Sequence, residues 1–95
     1  MDFALERARA LTPDSTSEEY LLEISWLYDR IVESGSKIPV IDLAYELVIA
    51  EEFAGECVSN AMAYGYLCAP KRGTFGGRIS QKALRKLKQI GKQKV

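Results

Sequence analysis

Residues 39–67 read PVIDLAYELVIAEEFAGECVSNAMAYGYL, and the fold turns on whether this stretch is one helix or two. Pro39 suits a first helical turn, where its missing amide costs nothing, and Val40, Leu43, Ala44 and Leu47 then recur on one face. From Val40 to Tyr64 the only breaker is Gly55. A single helix through Tyr64 keeps an apolar stripe at 40, 43, 44, 47, 54, 58 and 61, which would make an irregular helical bundle. The other reading breaks the helix near Val48 to Ala50, although a β-branched valine resists the positive φ of a tight turn and Ala50 has no capping oxygen.

Downstream, Gly65 closes the helical region, and Tyr66-Leu67-Cys68-Ala69 is a short β-prone run. Pro70 to Gly77 is basic and rich in glycine, and Arg78-Ile79-Ser80 completes what reads as a hairpin. Ser80 then caps a last helix with Ala83, Leu84, Leu87 and Ile90 in a stripe before Gly91. Upstream, Thr16 with Glu19 three residues on has the form of a capping box. Tyr20, Ile24, Leu27, Tyr28 and Ile31 continue it as an amphipathic helix, with Glu23, Asp29, Arg30 and Glu33 directed away from the core, and Ser34-Gly35 ends it. Asp2 to Leu11 forms a shorter helix or arm, stopped by Thr12-Pro13.

The formal net charge is zero, from 13 acids and 13 bases, but the two signs are segregated. Residues 1–56 hold every acid and four bases; residues 57–95 hold nine bases and no acid. A single-sign segment of that density suits a phosphate backbone or an acidic protein surface. With 95 residues and 47% apolar side chains there is one core and little room for an elaborate pocket. The absence of histidine removes the commonest general base and zinc ligand, so the expectation is no enzyme, no catalytic residue, no metal and no cofactor. Cys57 and Cys68 are too few for a disulfide scaffold, which points to a reducing cytoplasm. No apolar run approaches the roughly 18 residues of a membrane span, so no membrane partner is expected.

The order of helices and basic hairpin resembles a winged helix-turn-helix domain, across roughly Tyr20 to Leu87. It is similar to small DNA-binding domains of actinobacteria and their phages in Tyr28, Val32, Gly35 and Pro39, in Ala61, Gly65, Tyr66 and Leu67, and in the run from Ala69 to Ala83. The resemblance implies a mainly α fold: a three-helix core, a two-stranded β wing and a C-terminal helix. It divides the chain into an N-terminal arm or short helix (1–15), the domain itself (16–90) and a basic tail (91–95). It implies double-stranded DNA as partner, a role in transcription regulation, and a third helix from Glu51 to Tyr64 in the major groove. The sequence departs from the pattern at Val48, where the turn glycine is usual, and at Ala50, where a capping serine is usual. It departs again at Glu51, Glu52, Glu56, Ser59, Asn60 and Met62, positions often filled by arginine or lysine.

On these grounds Lys71, Arg72, Thr74 and Arg78 of the wing, Lys82 of the last helix, and Ser59 and Asn60 are the candidate DNA contacts. Gly76 and Gly77 would open the backbone to a phosphate, and Phe75 reads as a hairpin core residue. Tyr20, Trp26, Tyr45, Tyr64 and Tyr66 read as core packing. The alternative is a protein-interaction module whose acidic third helix, through Glu51, Glu52 and Glu56, docks a basic partner or a second copy in a homodimer.

Overall fold

The computed structural model describes residues 14–70 and 76–93, with side chains through residue 89. Four helices occur among the described residues: α1 (Glu18–Glu33), α2 (Pro39–Leu47), α3 (Glu51–Ala63) and α4 (Gln81–Gln93). The short helix expected at Asp2 to Leu11 lies outside the described residues.

The capping box at Thr16 is not formed. Asp14 takes both the amide and the hydroxyl of Thr16, at 2.8 and 2.7 Å, and the cap passes to Ser17, whose hydroxyl accepts the Tyr20 amide at 3.4 Å. From there α1 runs through the centre of the molecule, packed by α2, α3 and α4. Enclosure from three sides buries residues that a two-faced helix would leave wet. Glu23 and Asp29 are buried alongside Tyr20, Leu21, Leu22, Ile24, Leu27 and Tyr28, so the expected outward direction of these two acids is corrected. Ser25, also buried, returns its hydroxyl to the Leu21 carbonyl at 2.7 Å.

The chain enters α2 without a side-chain cap on Ile38. Ser36 substitutes: its hydroxyl accepts the Ile38 amide at 3.1 Å and donates to the Asp42 carboxylate. Leu43, Ala44 and Leu47 then face the core. The single long helix does not form. Val48 turns left-handed at φ 56°, ψ 49°, and the amides of Val48 and Ile49 close back on the carbonyls of Tyr45 and Ala44. α3 restarts at Glu51 with no capping side chain on Ala50, and the first-turn acids Glu51 and Glu52 meet the positive end of its dipole instead. Ala54, Cys57, Val58 and Ala61 bury its inner face.

A valine in the left-handed region costs about 1–2 kcal/mol. Val48 is also 83% exposed, so it repays none of that by packing within one copy. Val48→Gly is therefore expected to raise stability by about 1 kcal/mol and Tm by roughly 5 °C, read by thermal denaturation at low micromolar concentration. A lower Tm would show that the turn is not held as described.

The expected two-stranded wing is overturned. Among the described residues no strand forms, and Leu67 and Ile79 meet in an isolated antiparallel bridge. Two bonds flank it: Cys68 N–H to the Arg78 carbonyl at 2.8 Å, and Ser80 N–H to the Tyr66 carbonyl at 2.9 Å. Among the described residues the pairing goes no further. Gly76 turns inward against Tyr28 and Val32, and Gly77 lies so close to the Cys68 carbonyl that a Cβ would overlap it. On the other side Ser80 leaves the pairing to cap α4, accepting the Ala83 amide at 3.2 Å. The class is mainly α without the winged element. α4 docks on α1 through Ala83 and Leu87 and continues through Gly91 to Gln93. No helix among the described residues is long and apolar enough to cross a membrane.

Candidate nucleic-acid interface

The segment from Gly76 to Ser80 is fixed to α1 by one carboxylate. Asp29 Oδ1 accepts the Arg78 Nε–H at 2.6 Å and the Ile79 amide at 2.9 Å, and its Oδ2 accepts from Arg78 Nη2 at 3.3 Å. Glu33 stands 3.7 Å from the same guanidinium. Asp29, through its hydrogen bond and its charge, raises the guanidinium pKa further above its ordinary value. Arg78 keeps a half-exposed side chain, but its planar donors serve the fold first.

The other expected contacts are similarly engaged. Lys82 donates from Nζ to the Tyr64 carbonyl at 2.9 Å and lies 5.5 Å from the centroid of the Tyr66 ring. Asn60 donates from Nδ2 to the Ser15 carbonyl at 2.6 Å, tying α3 to the segment that leads into α1, and the Tyr64 hydroxyl donates to the Thr16 carbonyl at 3.3 Å. Lys86 pairs with Glu18 at 2.6 Å, and that hydrogen bond holds the Glu18 carboxyl below its usual value. Of the seven expected DNA contacts, Lys71, Arg72 and Thr74 lie outside the described residues, as does Phe75. Ser59 is exposed on α3, and Arg78, Lys82 and Asn60 carry structural bonds.

Gly76 and Gly77 are buried, so neither opens its backbone to a phosphate; they are where the loop presses against the core. Glu51, Glu52 and Glu56 are exposed on the outer side of α3. On α4, Arg85 and Lys88 are exposed and stand on the side away from the Ala83 and Leu87 contact. Tyr20 and Tyr66 are buried as expected for core aromatics and Trp26 is partly buried against the core, whereas Tyr64 is 39% exposed and is corrected from core to surface. Tyr45 is 83% exposed and is corrected from core to surface.

Compared with known protein families, with curated proteins and with solved structures, the chain matches none.

Cys57 is buried, and the loss of solvent pushes its thiol up to about 11, away from the thiolate form. Cys68 is exposed at the edge of the bridge. Asp29 is the functional surprise of this region. Its sequence setting, between Tyr28 and Arg30 on a helix, reads as polar surface, and nothing local announces that a loop some fifty residues away will close on it.

Proposed function

We propose that this protein binds double-stranded DNA as a small cytoplasmic transcription regulator. The observation that carries the reading is the α2–turn–α3 pair: a nine-residue helix, a turn of Val48, Ile49 and Ala50, and a thirteen-residue helix, both packed on α1. A pair of helices joined by so short a turn is the unit with which many regulators set one helix against the major groove. The turn is made at the cost of a left-handed valine and an uncapped α3, so the packing that forms it outweighs the local preferences of the chain.

Phosphate attraction in this reading comes from the C-terminal basic segment, with Arg85 and Lys88 of α4 among its exposed members. Ser59 offers a hydroxyl on α3. Glu51 and Glu52 serve the start of α3 electrostatically, which gives these acids a role other than facing a phosphate.

Fluorescence anisotropy with a mixed-sequence duplex at low and moderate salt tests the reading. Binding that weakens steeply with salt is expected. An Arg85→Ala, Lys88→Ala double variant is expected to bind several-fold more weakly at low salt and to lose up to about two units of the log–log salt slope. No binding at low salt overturns the proposal.

A second reading rests on the exposure of Glu51, Glu52 and Glu56 together on α3, with no base on that helix. It makes α3 a docking surface for a basic protein. Saturable binding of a lysine-rich peptide that is abolished by a triple glutamine substitution at these positions, without retention of DNA, is the result that favours it.

A further inference from the structure

α1 is packed by α2, α3 and α4. One side of it carries Glu19, Glu23, Trp26 and Arg30, which the helical repeat brings onto a single face. Glu19 and Arg30 on this side are exposed and Trp26 is partly buried, yet Glu23 among them is only 1% exposed. An ionised carboxylate at that depth is stable beside an opposite charge, and a buried charge of this kind marks where a base arrives from elsewhere in the chain.

The described bases are placed elsewhere. α2 and α3 contain no lysine or arginine. Arg78 is held by Asp29, Lys86 by Glu18 and Lys82 by the Tyr64 carbonyl, while Lys37, Arg85 and Lys88 are exposed. Arg30 stands about 10 Å further along the same helix. Lys71 and Arg72 precede Gly76, which presses on Tyr28 and Val32, on the side of α1 away from Glu23. Lys92 and Lys94 follow Lys86, which already reaches the first turn of α1, so they run past its end. Two bases remain, Arg7 and Arg9.

We propose that the segment Asp2 to Leu11 docks antiparallel along this side of α1 and that Arg7 pairs with Glu23. The segment lies outside the described residues, and its own sequence and the place where the described chain starts carry the assignment. At helical spacing Phe3, Ala4, Ala8 and Leu11 share one face, Arg7 falls in the middle of that face, and Arg9 falls on the other. An apolar face with an arginine at its centre docks where an acid meets the arginine, and Glu23 is a buried acid with the complementary need. The chain also starts in the right place: Asn60 and Tyr64 hold the carbonyls of Ser15 and Thr16 beside the head of α1, and Thr12-Pro13 gives the reversal. The heights agree. Arg7 is about 6 Å from Leu11 and Glu23 about 7.5 Å from Glu18, and Phe3 and Trp26 are each about 12 Å from those same ends. This inference does not rest on the DNA reading, because Arg7 stands outside the basic segment of residues 57–95.

Thermal denaturation and limited trypsin digestion of the full chain test it. Arg7→Met and Glu23→Gln are each expected to lower Tm by more than about 5 °C, since each leaves one member of a buried pair without its counter-charge. The double variant Arg7→Met, Glu23→Leu, with apolar groups in place of both charges, should recover most of that loss. Arg9→Met, on the other face, should shift Tm by less than about 2 °C. Trypsin reads the docking through a bond that no variant alters: well below the melting transition, cleavage after Arg9 should be at least about tenfold faster in Glu23→Gln than in the parent. Emission of Trp26, the sole tryptophan, should move to the red in the same variant. If Glu23→Gln does not fold, folding of the double variant supports the pairing and its failure to fold overturns it. Equal losses for Arg7→Met and Arg9→Met, additive losses in the double variant, or equally fast cleavage after Arg9 in parent and Glu23→Gln likewise overturn the proposal.

Discussion

Gly77→Ala is expected to lower stability by at least about 3 kcal/mol and Tm by more than about 10 °C. The new Cβ would overlap the Cys68 carbonyl, a backbone atom that cannot swing aside as a side chain can. Gly77 is not among the glycines with positive φ, so the cost is steric rather than conformational. Relief requires the segment 76–79 to move off α1. That movement breaks the Leu67–Ile79 bridge, the Cys68 to Arg78 and Ser80 to Tyr66 bonds, and the contacts on Asp29. Gly76→Ala meets the Tyr28 hydroxyl and Val32 Cγ2, each at 2.7 Å, which are side-chain ends with some room to shift, and should cost less. Thermal denaturation of the two variants checks the order. If Gly77→Ala melted within a few degrees of the parent, the close approach to Cys68 would be wrong.

Asp29→Ala is expected to cost about 2 kcal/mol in urea denaturation. The magnitude comes from the buried side of the interaction. Asp29 is 8% exposed and accepts three hydrogen bonds, one from the Ile79 amide, which loses its partner when the carboxylate is removed. The half-exposed Arg78 is well solvated and adds less. Asp29→Asn keeps an oxygen for the Ile79 amide and gives up the charge, so it should fall between Ala and the parent. A change in the alanine variant below about 0.5 kcal/mol would show that the loop is held elsewhere.

These two residues bear on how the candidate site is built. The glycine-rich, basic segment reads in sequence as a flexible tip with open backbone. Its described part is instead pressed onto α1, with glycines where the core leaves no room for a Cβ and an arginine directed at a carboxylate. Asn60 and Lys82 tell the same story: each is a polar residue of the expected interface, and each ties together parts of the chain distant in sequence. The charge segregation remains as the sequence has it, and α4 presents Arg85 and Lys88 outward from it.

Hydrophobic periodicity by itself determined the helices around Tyr20 to Ile31 and Ala83 to Leu87, because a repeat of three and four residues is a local property of the chain. The proline at the head of α2 and the glycines after α1 and α3 were equally legible, since each acts on its own backbone. Only the tertiary structure decided the break at Val48. A straight helix from Pro39 to Tyr64 would run roughly 39 Å against about 24 Å for α1, leaving much of its apolar stripe in water. Bending lets both halves pack on α1, and burial of Leu43, Leu47, Ala54, Val58 and Ala61 outweighs about 1–2 kcal/mol of strain at one valine. The same long-range closure buried Glu23 and Asp29, left Tyr45 outside, and held the Leu67–Ile79 pairing to a single bridge. Each of these depends on which element arrives from elsewhere in the chain, and no local pattern encodes that.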